Sequence, residues 1–423
     1  MKDLVKKVAV GIVTGTLVAQ SMVLPSLGAI SVVVSGNGSD SDNTVNVDQD
    51  ATTQVTQTNT ANVENNIKAT SNTGGNDADD NTGGDVNIDT GNAKSLVEVS
   101  NTLNSNEAHV DCKSCPTDLN VEVSGNGTDS DNDVKVDLDN TTWVTQTNYA
   151  NVENDVDVDA NSGDNDADDN TGGSVDIDTG SATAWASVST QANANVAHVG
   201  NGGGEGSLDV LITGNGSESN NDIDLDLDNT VGIVQTNWLN LENDVEVDAD
   251  SGNNDADDNT GGAVSIDTGS AWAGATVDTQ ANFNLAHVED CCELDGLVKV
   301  AGNGTDSDND VELDLASTLY SVQDNDYTCG DQGGWLEFWW DWFRDDCDVE
   351  AKANSGDNSV DDSTGEVDGD PSIDTGSATT EVEVNTEANS NVFSTGDALP
   401  EVPEFDMDGS MSWLVWLLMG QSS

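Results

Sequence analysis

The sequence predicts an all-β, elongated repeat protein, a β-solenoid of short coils arranged in four repeats of about 89 residues. Three observations predict it. The block SGNGSDSDNTVNVD begins at Ser35 and recurs in variant form at Ser124, Thr213 and Ala301, at offsets of 89, 89 and 88 residues. A second block, NTGG followed by IDTG, begins at Asn81, Asn170 and Asn259 and survives in altered form from Ser363. Between these markers apolar residues recur at every second position, as in Val156/Val158 and Val175/Ile177, which is the period of a strand with one buried face. Self-similarity at a fixed period is the signature of repeat architectures.

Taken in order, residues 1–29 read as a secretory signal. Lys2, Lys6 and Lys7 precede an uncharged, largely apolar stretch from Val8 to Leu24, and Pro25, Ser26, Gly28 and Ala29 supply small or bend-forming residues. The repeats occupy 30–118, 119–207, 208–295 and 296–398; the fourth carries a Cys-flanked aromatic insertion at 329–347, and a tail fills 399–423. A shorter beat runs inside each repeat. In repeat 2 it is Asn126, Asn148/Ala150, Asn165/Ala167, Gly180/Ala182 and Asn195/Ala197, at spacings of 22, 17, 15 and 15 residues. Asn-x-Ala puts both side chains on one strand face. Each beat is expected to form one coil, its buried Asn bonding to the equivalent on the next coil. Some 20 coils at about 4.8 Å would then make a rod of roughly 95 Å. The alternative is four tandem β-sandwich modules of about seven strands each. Sandwich cores need large interdigitating residues, and repeat 1 has no aromatic residue between Ser31 and Val110.

The segments NSGDNDADDN, with Asn161, Gly163, Asn165, Ala167 and Asn170, and QANANVA, with Gln191, Asn193, Asn195 and Ala197, resemble curlin repeats. That resemblance implies an extracellular β-stack whose Gln, Asn and Ala line the interior, and a subunit able to assemble with itself into fibres. The chain departs from the curlin pattern in its acidity, in its uneven beat and in its 89-residue super-repeat.

The chain carries 81 acidic against 10 basic side chains, for a net charge of −71. That charge makes nucleic acid and anionic membrane surfaces poor partners, and no nucleic-acid partner is expected. Of the acids, 61 are Asp and 20 Glu, and Asp is the better loop ligand and the poorer strand former. Two dense acidic segments recur. One is Asp129, Asp131 and Asp133, with Asp306, Asp308 and Asp310. The other is NDADDNTGG, with Asp77 and Asp79, Asp166 and Asp168, and Asp255 and Asp257. Calcium takes six to eight oxygens from carboxylates, amides and carbonyls, so these residues are the candidate metal ligands and Ca²⁺ the expected structural cofactor. Stacked acids about 4.8 Å apart repel by roughly 0.9 kcal/mol per pair even in water, so bound cations or concentrated salt must offset them.

Six cysteines in an exported chain favour disulfides. Cys329 with Cys347 would tie off the insertion, and Cys112 with Cys115 would form a local bridge. His109, His198 and His287 recur in one register and read as structural residues at repeat boundaries. The insertion gathers Trp335, Phe338, Trp339, Trp340 and Trp342, either as a plug over one end of the stack or as a binding loop for a glycan or protein. No nucleophile or acid–base constellation stands out, so no enzyme is expected. The reading is an exported, calcium-stabilised structural and adhesive protein of the cell surface or extracellular matrix, with no transmembrane span in the mature chain. The alternatives are a self-assembling fibre subunit and a carbohydrate-binding surface protein that uses the Trp-rich loop.

Overall fold

The computed structural model describes residues 4–13, 17–22, 30–111, 118–200, 206–289, 294–330, 347–364 and 371–396. Every regular element among them is a β-strand. Layer 1 holds β3 (Ile30–Ser35), β4 (Asp42–Asn72), β5 (Val86–Asp89) and β6 (Ala93–Val110). Layer 2 holds β7 (Asp118–Ser124), β8 (Asp131–Asn161), β9 (Val175–Thr179) and β10 (Ala182–Val199). Layer 3 holds β11 (Gly206–Thr213), β12 (Asn220–Asp250), β13 (Val264–Thr268) and β14 (Ala271–Val288). Layer 4 holds β15 (Leu294–Ala301), β16 (Asp308–Cys329), β17 (Cys347–Asn354), β18 (Ser372–Asp374) and β19 (Ala378–Thr395).

The β-solenoid class stands, but its coil is the whole repeat and not the beat. All 31 residues of β4 pair in parallel with β8, from Asp42↔Asp131 to Asn72↔Asn161. The β8 strand pairs with β12 in the same manner, and β12 pairs with β16 and β17. Among the described residues no strand of a repeat pairs with another strand of that repeat, which also removes the sandwich alternative. The stack therefore has four broad layers, not some 20 narrow ones. A 31-residue strand extends roughly 100 Å at about 3.3 Å per residue.

Within a layer the chain makes a long, flat circuit. Val32 and Val34 of β3 pack against Val45 and Val47 at the start of β4. Farther along, Gln57 donates to the Glu107 carbonyl at 2.8 Å, and Ser95 to the Ala69 carbonyl at 3.0 Å. Numbers rise along β4 as they fall along β6, so β6 returns antiparallel across the core. The acidic segment between β4 and β6 is an arch. Its neck is closed by Thr73 donating to the Gly91 carbonyl (2.6 Å), a bond repeated by Ser162 to Gly180, Ser251 to Gly269 and Ser355 to Gly376.

Between β4 and β6 the core is thin, and Asn and Gln fill what Val and Ala leave. Asn148 shows how a buried amide is tolerated. Its nitrogen donates to the side-chain oxygens of Asn237 (3.0 Å) and Asn195 (2.9 Å) and to the Ala194 carbonyl (3.1 Å). Its oxygen accepts from Asn59 and Asn106. Such full use of donors and acceptors is what burial of an amide requires. A Gln column, Gln57–Gln146–Gln235–Gln323, repeats the pattern at 2.8 Å per step. Another column, Asn104, Asn193, Asn282 and Asn389, has φ of 53–63° and is skipped in the pairing of β6, β10, β14 and β19. This is a kink repeated in every layer, its residue left out of the ladder on both paired strands, and Asn is among the non-glycine residues that tolerate that backbone.

In layer 4 the register against β12 steps from 88 residues at Leu241↔Cys329 to 104 at Asn243↔Cys347. The insertion thus adds 16 residues and rejoins the same line, closed by the Cys329–Cys347 disulfide. In the segment read as an export signal, β1 (Leu4–Val13) and β2 (Leu17–Met22) lie along the free edge of β6.

Candidate functional site

The acidic residues form columns that run through the layers. Asp129 sits in the turn between β7 and β8 with φ 56°. Asp131 and Asp133 follow on β8 and point outward, as do Asp308 and Asp310 on β16. Asp306 repeats the turn position, with φ 57°. Four of these six acids therefore lie on strands, where they face neighbours above and below. Asp133 and Asp310 flank Asp222 in the stack. Burial first, then those two charges, raises the Asp222 carboxyl above its ordinary range.

The second acidic segment forms the arches. Asp77, Asp166 and Asp255 bridge in a column, continued by Ser359. The Asp79 carboxylate accepts the backbone N–H of Asp168 (3.0 Å), and Asp168 accepts that of Asp257 (2.7 Å). One carboxylate of each pair is thus built into the layer contact. The other is unsettled. The hydrogen bond with Asp79, then its charge, raises Asp77. Burial, then the charge of Asp168, pushes Asp166 up to about 6. Burial, then the hydrogen bond with Asp257, pushes Asp255 up to about 6. Oδ1 of Asp166 and of Asp255 is buried without a hydrogen-bond partner. An oxygen so placed is ready to take a proton or a cation. Among the described residues no group of three or more His, Cys, Asp or Glu has a geometry that could hold a metal ion. The predicted ligands come together as pairs and ladders.

The three histidines form a column as well. The rings of His109 and His198 stack 4.8 Å apart with planes 3° apart, and His287 lies 5.7 Å further on. Burial, then the flanking histidines, lowers His198 to about 4, so it is neutral at pH 7. His287 is 1 % exposed, and its Nδ1 lies 2.7 Å from the Ser394 hydroxyl. Cys112 and Cys115, and Trp335, Phe338, Trp339, Trp340 and Trp342, lie outside the described residues.

A surface feature escaped the sequence reading. The 89-residue register places Tyr149 beside Trp238, and it puts Gly232 between Trp143 and Tyr320. All of these are outward positions of the long strands. The register itself was the signal that could have found them. No protein-family description, curated protein or solved structure matches the chain.

Proposed function

We propose that this protein is an exported structural and adhesive element of a cell surface or extracellular matrix, rigidified by calcium bound among its aspartate columns. The observation that carries the reading is the layer contact. Four layers at offsets of 88 or 89 residues are joined by parallel ladders and by continuous Asn and Gln columns, a construction that resists deformation over a broad area. Unpartnered carboxylate oxygens in the arches and raised carboxyls along the columns support a demand for cations. Hard oxygen donors of this kind suit Ca²⁺. Thermal melting of the mature chain in EDTA, then in millimolar Ca²⁺, Mg²⁺ or multimolar NaCl, tests it. A sharp rise with Ca²⁺ alone supports the reading. Equal rescue by Mg²⁺ and NaCl would show general screening and remove calcium from it.

One observation favours a second reading, end-to-end assembly of copies. Leu313, Leu319, Val384 and Phe393 of layer 4 are exposed at 39, 44, 54 and 44 %. They occupy the columns of Leu225, Val231, Val277 and Ala286, which are buried in layer 3. A following layer would cover them. A second copy stacked on layer 4 would supply that cover, and the insertion, which leaves layer 4 at Gly330 and returns at Cys347, is the other candidate. Concentration-dependent, detergent-resistant fibres would favour the copy, and a monomer at all concentrations would favour the insertion.

A further inference from the structure

The outer face of the long-strand sheet holds an uncharged window in a chain of net charge −71. Outward positions alternate along each strand. From Thr52 to Asn62 in layer 1, Thr141 to Asn151 in layer 2 and Thr230 to Asn240 in layer 3, every outward residue is Thr, Gln, Asn, Val, Gly, Trp or Tyr. Acids close the window on both sides, with the column Asp50–Asp139–Asp228 at one edge and Glu64–Glu153–Glu242 at the other. Six alternate positions per layer span about 35 Å at about 3.3 Å per residue.

Two aromatic pairs stand at this window, one of them completed by Tyr320 of layer 4, where the following outward residues Val322, Asp324 and Asp326 make the layer-4 margin acidic as well. The rings of Trp143 and Tyr320 have centroids 5.8 Å apart and planes within 15°. They meet because layer 3 contributes Gly232 between them: a Cβ there would lie 2.1 Å from the Trp143 ring. Tyr149 and Trp238 form the second pair, centroids 6.4 Å apart. Tyr149 and Tyr320 are 43 and 49 % exposed. Trp143 and Tyr149 are six residues apart on one strand face, so the pairs stand about 20 Å apart, with the hydroxyl-bearing Thr145 and Thr147 between them.

We propose that this window binds an extended, uncharged polysaccharide. The apolar C–H face of a sugar ring lies on an aromatic ring, and its hydroxyls bond to threonine and asparagine side chains, so a polymer can engage both pairs at once. The acidic margins repel anionic polymers. The window is a sheet face and not an edge, so strand addition by a peptide cannot use it. The proposal deepens the adhesive part of the function above and does not depend on calcium.

The test is retention of the mature chain on cellulose, chitin and mannan, with alginate as the anionic comparison, in both EDTA and Ca²⁺. Retention on at least one neutral polymer, weakened tenfold or more in the triple variant Trp143→Ala, Tyr149→Ala, Trp238→Ala, is expected. Trp185→Ala, an outward ring on the opposite sheet, should leave retention unchanged. Should the triple variant lose its β circular-dichroism signal, Thr147→Glu, which puts one charge in the window, decides the matter by the same criterion. No retention on any neutral polymer, preference for alginate, or equal loss with Trp185→Ala would overturn the proposal. Loss on deleting residues 331–346 with the window variants unaffected would overturn it too, by moving the site to the Trp-rich loop. An absent calcium effect would leave this result intact and count only against the proposed stabilising role of calcium.

Discussion

Asn148 is the residue on which the interior turns. It donates to three oxygens and accepts from two amides, all in or next to the core. Asn148→Ala leaves those groups buried without partners, at about 1–3 kcal/mol for each group that water cannot reach. The expected loss, read from urea unfolding, is on the order of 3 kcal/mol. Asn151→Ala, on the outward face beside Asn62 and Asn240, should cost less than about 0.5 kcal/mol. The titrating residues make opposing contributions to stability. Asp166 and Asp255 have folded values of about 6 against an ordinary 3.8. Their contribution is complete below the unfolded value and is lost as pH rises through 6. His198, at about 4 against 6.5, contributes above 6.5 and loses it as pH falls through 4. The raised carboxyls outnumber the one lowered imidazole, so the melting temperature should rise as pH falls from 7.5 to 5. Asp166→Asn with Asp255→Asn mimics the protonated pair, so it should raise the melting temperature at pH 7.5 and flatten that slope. A melting temperature that falls on acidification would contradict the assignment.

At the scale of the element, the arches depend on how closely their backbones approach. A Cβ on Gly163 would lie 1.9 Å from the Gly252 carbonyl oxygen, and the same contact recurs at Gly74 and Gly252. Gly163→Ala must push two layers apart, an overpacking cost of about 3 kcal/mol. It should show in hydrogen exchange as lost protection of arch amides such as Asp164 before those of β8. Strands were legible because buried Val, Ile, Ala, Asn and Gln alternate with outward polar or acidic residues. The coil length was not, because the beat imitates it. Asn126, Asn148, Asn165 and Asn195 each bond to an Asn one layer away. They are four columns of a single layer, which the sequence shows only as a recurring motif. The deciding clue lay in the spacings. In-register stacking requires a constant offset, and 22, 17, 15 and 15 are unequal where 89, 89 and 88 are nearly constant.

For the whole molecule, net charge and layer contact oppose each other. Acid columns at about 4.8 Å spacing lie within the Debye length of about 8 Å. Asp178, flanked by Asp89 and Asp267, is raised by burial first and then by both neighbours. Raising NaCl from 0.05 to 1 M should therefore increase the melting temperature, where a chain of balanced charge would change little. The sequence could show how many acids there are and that they recur. It could not show that the recurring acids stand over one another, since that follows from the coil length. The window of Trp143, Tyr149 and Trp238 stayed hidden for the same reason.

The layered stack places residue i beside residue i+89 through the first three layers. Spin-labelled amino acids at Thr56 and Thr145, outward residues paired in β4 and β8, test this most directly. Their continuous-wave spectrum should show strong dipolar broadening, as expected for backbones about 4.8 Å apart. A narrow, non-interacting spectrum, with a pulsed measurement placing the labels 20 Å or more apart as five short coils would at about 4.8 Å each, would contradict the layered stack.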